Sequence, residues 1–321
     1  MALTQKPTII PVASGKGGVG KSVFAASLAI ALARQGQATI ALDLDLGGSN
    51  LHTYLGLPNT NPGIGDFLKR RLNNFQQLIV PTTIPNLQFL PGDGKTPFMA
   101  NIPTKQRYLL LDEIMALPAR YVIVDLGAGT SINTMNFFGL ANNGIMVTTL
   151  DTPAMMNALV FLRNFMFANI VSQTKENPAI QKMVLDIYRH PTDRQNLTAQ
   201  MVYDKIREQQ PTLARTIETR CNRFKPRFVF NMGDHPDELK VAGRIEATIR
   251  KSLSLNAETL GFIYFDDAVR KAVRKNEIFL PNNPTSSYAR CLQNIVSRLT
   301  APSGTSPAPI NSLIAEARRS K

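Results

Sequence analysis

The 321-residue sequence has no tryptophan, two cysteines and three histidines. Cys221 and Cys291 are far apart and no C-x-x-C pair occurs, which argues against a disulfide framework or a zinc site; both read as small core or surface residues. His235 stands alone in its turn and gives no metal-ligand spacing. No apolar run approaches the ~18 residues of a membrane-spanning helix. Residues 1–7 run into the first strand without the apolar core of a signal peptide, so a cytoplasmic protein is expected. Acidic residues are also scarce, 23 against 36 Lys and Arg, for a net charge of +13. That excess favours polyanions, either nucleic acid or an anionic membrane face, unless it reflects only a generally basic surface.

What the sequence does have is concentrated in one stretch. Gly15-Lys16-Gly17-Gly18-Val19-Gly20-Lys21-Ser22 fits the phosphate-loop pattern G-x-x-x-x-G-K-[ST]. Glycines let the backbone turn tightly and bring N–H groups against phosphate oxygens. Lys21 can reach β- and γ-phosphates, and the Ser22 hydroxyl can ligate Mg²⁺. The flanks agree: residues 8–13 read as a short buried strand, and residues 23–34 as an Ala/Leu-rich helix whose N-terminus adds to the anion site.

Further along, residues 37–45 read as a strand ending in Asp43 and Asp45, whose spacing of two puts them on one face. Residues 121–125 form four bulky positions followed by Asp125, at the carboxyl end of a strand where open α/β sheets place ligands. Leu126-Gly-Ala-Gly-Thr130 follows, flexible enough to move with the γ-phosphate. More strands are expected at 87–90, 144–150, 226–233 and 259–265, with helices at 64–72, 105–116, 154–168, 266–275 and 285–299. Turns are expected at Pro91–Gly94, and Thr152-Pro153 reads as a helix N-cap followed by proline at the first helical position. This alternation argues for a three-layer α/β/α fold on a mostly parallel sheet, spanning residues 1–300. Residues 171–226, broken at Pro178, Pro191 and Pro211, read as an insertion of two or three helices on the outer side. Residues 301–321 read as a flexible tail.

Lys16, a second lysine early in the loop, makes this stretch resemble the deviant phosphate-loop ATPases of the MinD/ParA family, whose loop reads KGGVGK[ST]. Two segments resemble the family's switches, the first matched at Asp43, Asp45, Asn50, Leu55 and Gly56 and the second being Leu126–Thr130; with the Ala268–Arg274 helix they look most like the MinD-like flagellar site-determining subgroup. The resemblance implies a slow Mg²⁺-dependent ATPase that dimerises around ATP, with Lys16 reaching the partner's nucleotide. It also implies that Asp45 orients the attacking water, that Asp43 and Asp125 support the metal beside Ser22, and that Asn231 recognises adenine. Tyr264 stands where many relatives have proline beside the base, so an aromatic contact is expected there. Relatives that handle iron–sulfur clusters need paired cysteines, which this chain lacks. The expected function is ATP-dependent spatial positioning with a protein activator or cargo. The expected surface is a membrane or a polar partner, and the short amphipathic segment at 310–321 reads as a membrane anchor, a frayed tail or a partner peptide; the alternative is non-specific DNA contacted by the basic helices near Arg244–Lys251 and Arg270–Lys275.

Overall fold

The computed structural model describes residues 6–72, 74–92, 102–189, 197–302 and 304–321. Asp93 and Gly94 of the expected turn, and the break at Pro191, lie outside them. The chain opens with β1 (Thr8–Ala13), α1 (Lys21–Arg34), β2 (Thr39–Leu44), α2 (Leu51–Tyr54) and α3 (Ile64–Leu68). Then come β3 (Val80–Pro81), β4 (Leu87–Leu90), α4 (Thr104–Met115), β5 (Tyr121–Leu126), α5 (Ile132–Phe138), β6 (Ile145–Thr148) and α6 (Thr152–Gln173). Three helices follow, α7 (Pro178–Arg189), α8 (Ala199–Gln209) and α9 (Pro211–Cys221). The last part holds β7 (Arg227–Gly233), α10 (Ala242–Leu253), β8 (Glu258–Tyr264), α11 (Asp267–Arg274), α12 (Phe279–Asn282), α13 (Ser287–Leu299) and α14 (Ile310–Arg319).

The eight strands form one sheet in the order β3-β4-β2-β5-β1-β6-β7-β8, parallel except where β3 meets β4. β2 and β5 are buried at every position, which is why they read as near-continuous apolar runs: helices cover both faces. Register brings the chemistry to one edge. β2 and β5 pair Asp43 with Asp125, and β1 and β5 pair Val12 with Asp125, so the loop after β1 starts beside both carboxylates.

α6 has 22 residues and is long and apolar enough to cross a membrane, although Asn157, Arg163 and Asn164 interrupt its apolar run. Phe161, Leu162, Phe165, Met166, Phe167 and Ile170 of this helix are buried in the protein's own core, while Met156 stays exposed. Phe161 and Phe165 both meet Phe138 edge-on at 5.2 Å, and Phe165 meets Phe224 at 4.8 Å. The α7–α9 helices pack on α6 and α10. Their buried residues, among them Val184, Tyr203, Ile206 and Ile217, belong to the same apolar core as the sheet.

Two expectations are corrected. The N-cap of α6 is Asp151, whose carboxylate accepts from the Ala154 N–H; Thr152 is already helical. The tail beyond residue 300 is not free throughout. Residues 310–319 form α14, which lies against β8 and the 3-10 turn at Pro236–Val241, with Leu313, Ile314 and Ala317 buried. Its apolar face, on one reading that of a membrane anchor, is covered by the protein's own body.

Candidate nucleotide site

The loop joining β1 to α1 is shaped by a few close constraints. Gly18 and Gly20 have φ of 84° and 81°, the left-handed region that disfavours side chains. At Gly15 a Cβ would collide with the backbone of Asn157 on α6, so glycine there lets the loop press onto that helix. Gly17 has open space around it, and no such constraint acts on it. Gly20 caps α1 without a side chain, which leaves the first N–H groups of a 14-residue helix available to an anion.

Behind the loop lies a buried ionic cluster. Lys21 Nζ donates to Asp125 Oδ1 at 2.6 Å and to Ser22 Oγ at 3.2 Å. Asp125 is fully buried, and its Oδ2 has no hydrogen-bond partner. Desolvation raises the Asp125 carboxyl above its usual range, with Lys21 opposing the shift. Asp43, also fully buried, is pushed up to about 7 by burial and by Asp125 beside it. Both Asp43 oxygens are engaged: Oδ1 accepts from the Asp45 N–H and Oδ2 from the Leu51 N–H, each at 3.0 Å. Asp43 therefore braces the 45–51 loop from below.

Asp45 opens that loop, and its carbonyl accepts from the Gly48 N–H and the Ser49 hydroxyl, each at 3.1 Å. Its carboxylate faces Gly127, where a Cβ would sit 3.3 Å from Oδ1, so the two glycine-containing switch segments meet at this point. Gly129 ties the second segment to the phosphate loop through its N–H to the Ser14 carbonyl at 3.0 Å.

Lys16 lies on the rim, half-exposed, with Nζ 3.2 Å from Asp151 Oδ1. The sequence reading missed Asp151; the signal was an Asp just ahead of Thr-Pro at a helix start, which is the commoner N-cap arrangement. Asp151 is also held by the Thr149 hydroxyl, and these hydrogen bonds keep its carboxyl below the usual range.

On the other side of the loop, Asn231 Nδ2 donates to the Val19 carbonyl at 2.9 Å. Asn231 and Tyr264 line a cavity of about 170 Å³ with Val23, Met232, Phe265 and Val269. The last four were not singled out from sequence, since their apolar character looks like ordinary core. A larger hollow of about 250 Å³ lies at the opposite end of α1, beside Arg34 and Leu292, away from every residue above.

The expected residues thus divide into three sets: Lys21, Ser22, Asp43, Asp45 and Asp125 converge below the loop, Lys16 stands on its rim, and Asn231 and Tyr264 line the adjoining cavity. The donor set fits Mg²⁺. That ion binds through one or two protein oxygens plus phosphates, and an orphaned buried carboxylate oxygen beside a serine hydroxyl supplies them.

A strand, a glycine loop and a helix, with a buried lysine–aspartate pair beneath them at the carboxyl edge of a parallel sheet, define a phosphate-loop nucleotide-binding fold. The chain belongs to the CobQ/CobB/MinD/ParA nucleotide binding domain family, which matches residues 10–279. It is 30% identical over 191 residues to the flagellum site-determining protein YlxH of Helicobacter pylori, covering 56% of this chain and 64% of that one. It is 30% identical over 151 residues to the septum site-determining protein MinD of the same organism, covering 47% and 56%. The chain therefore spans less than two thirds of either relative's length. Among solved structures, a chain of the MinC:MinD cell division protein complex of Aquifex aeolicus superposes with a TM-score of 0.60 at 18% identity, covering 94% of this chain and 98% of that one. The MinD of Pyrococcus horikoshii complexed with Mg-ADP gives 0.58 at 18%, covering 93% and 98%. These two likenesses speak for the fold.

Proposed function

We propose that this chain is a MinD/ParA-type ATPase switch. Two copies join face to face around ATP, and the dimer, unlike the monomer, engages a membrane surface or a polar partner that positions a flagellum or a division site. The observation that carries this reading is the placement of the two lysines: Lys21 is buried on Asp125, whereas Lys16 stands on the open rim, paired with a half-exposed Asp151. A rim lysine is placed to meet a second copy; a buried one is not.

Lys21 passes from Asp125 to phosphate oxygens when nucleotide enters, which leaves the Asp125 carboxylate and the Ser22 hydroxyl to hold Mg²⁺. Bound there, the ion would supply Lewis-acid charge compensation for the phosphates. Main-chain N–H groups of Gly15–Gly20 cradle the phosphates, and Asp45 orients water from the junction of the two switch segments. Asp43 keeps the Asp45 loop in place. Asn231 and Tyr264 take the base. Lys16 leaves Asp151 for the partner's nucleotide. Relatives whose names concern flagellum and septum sites favour a positioning role, and a MinD solved with MinC makes a protein activator or cargo the natural partner.

Size-exclusion chromatography with Mg–ATP tests the cycle. Wild type should shift to a dimer transiently, Lys16→Ala and Lys21→Ala should abolish hydrolysis, and Asp45→Ala should hold the ATP dimer. An Asp45→Ala chain that stays monomeric sinks the proposal.

A second reading, ATP-gated binding to non-specific DNA, is favoured by the exposed cations of α10 and α11: Arg244, Arg250, Lys251, Arg274 and Lys275. ATP-dependent DNA binding with a steep salt dependence would select it over the membrane.

A further inference from the structure

The cavity beside the phosphate loop is built from two strand ends, and a helix from far along the chain holds both. At the end of β8, Tyr264 is 5% exposed, with its ring lining the cavity. Its hydroxyl donates to the carbonyl of Ala317, 53 residues later on α14, at 3.1 Å. A buried tyrosine hydroxyl needs a partner, and α14 supplies it. Beyond the end of β7, which contributes Asn231 and Met232 to the same cavity, the 3-10 turn carries Asp237. Arg318 of α14 grips that carboxylate with both contacts, at 2.9 and 2.8 Å.

α14 itself is seated from a third side. Arg298 of α13 holds Glu316 through both carboxylate oxygens at 2.8 Å, and its Nε donates to the Leu260 carbonyl of β8 at 2.6 Å. The exposed Arg318–Asp237 pair contributes direction more than strength. The buried Leu313, Ile314 and Ala317 supply the strength.

We propose that α14 is a strap that positions the nucleobase pocket. It fixes Tyr264 through Ala317 and the loop after β7 through Asp237, so that attachment of residues 310–319 and affinity for the base rise and fall together. This rests on the nucleotide reading of the site and deepens it. Tyr264 is the residue in contact with the base, and the α14 residues act through it. Coupling of this kind is reciprocal: a base in the pocket holds the strap down, and anything that draws the strap away loosens the base. None of the α14 contacts described above is with a residue of the phosphate loop, which meets the β7 end through Asn231 and Val19, so the strap should change base affinity far more than phosphate affinity.

The test uses the full chain and two probes, ADP and inorganic pyrophosphate, each titrated with Mg²⁺ by calorimetry. Tyr264→Phe keeps the ring and removes the hydroxyl, and Ala317 retains the Ser320 N–H as a donor, so the helix end is not orphaned. It should weaken ADP binding about fivefold, the worth of one hydrogen bond. Leu313→Asp, which undocks the strap, should weaken it at least about tenfold. Arg318→Ala, a surface change that leaves folding intact, should weaken it about twofold. Pyrophosphate affinity should change far less in all three. Amide exchange over 310–319 should slow when ADP is added and not when pyrophosphate is added. Wild-type ADP affinity in Tyr264→Phe and Leu313→Asp, an equal loss of ADP and pyrophosphate, or an exchange rate at 310–319 indifferent to ADP overturns the strap. A wild-type chain that binds ADP no more tightly than pyrophosphate overturns instead the nucleotide reading beneath it.

Discussion

The two halves of the proposed nucleotide site, a phosphate half and a base half after the roles proposed for them, are built on opposite plans. The phosphate half, around β1, β2 and β5, is made of backbone and charge: glycines at φ near +80°, a buried lysine on a buried aspartate, and a second aspartate bracing a loop. The base half, around β7 and β8, is made of apolar side chains held by a helix more than fifty residues away in sequence. Charge and unusual backbone tolerate few residue types at fixed spacing. Apolar walls tolerate many, at spacings set by the fold.

The largest expected effect tests whether the phosphate half is one unit. Lys21→Ala should abolish ATP hydrolysis, a loss of at least about 10²–10³-fold. It also strands Asp125, and loss of one member of a buried pair costs about 3–5 kcal/mol. The double variant Lys21→Ala/Asp125→Asn should regain most of that stability in urea unfolding while hydrolysis stays lost. If the midpoint does not recover, the pair is not what ties this half together.

Gly20 stands at the seam of the two halves, because a Cβ there would meet the Asn231 side chain as well as the unfavourable φ. Gly20→Ala should cost about 1–3 kcal/mol and weaken both ADP and pyrophosphate. An effect on ADP alone would move the seam into the base half. Asn231→Ala removes the bond to the Val19 carbonyl. It should cost about 1 kcal/mol of stability and reduce discrimination between ADP and GDP, with a smaller loss of pyrophosphate binding through the freed Val19 carbonyl. The smallest effect belongs to the rim. Asp151→Ala should cost about 1 kcal/mol through the lost α6 cap and leave monomer ADP affinity at the wild-type value, measured by calorimetry. A large drop in affinity would place Asp151 inside the phosphate half.

The same contrast explains what was legible in the sequence. The strand order could not be read, but seven of the eight strands could, because parallel strands buried on both faces are short apolar runs and β1, β5 and β8 are such runs; β3, two residues long at the sheet edge, leaves no such run. Gly15–Ser22, Asp45 and Asp125 were legible as a glycine loop and two acids at strand ends, a pattern that phosphate and metal chemistry restricts; their roles belong to the proposed function. Asp43 was found, but its engagement by two backbone N–H groups was not, since that depends on how the chain folds back at Leu51. Asp151 was hidden by the adjoining Thr-Pro. The docking of α14 was illegible for a physical reason: a short amphipathic helix shows that it has an apolar face and says nothing about what covers it. Likewise α6 is apolar enough for lipid, yet it is the pillar of the protein's own core.

That pillar has a further consequence. At 1.5 Å per residue its 22 residues run about 33 Å, with Asp151 and the lysine it holds at one end and the α7–α9 outcrop packed along the other. The outcrop and the rim lysine are therefore mounted on a single stiff rod, and a body leaning on one end has a mechanical handle on the other.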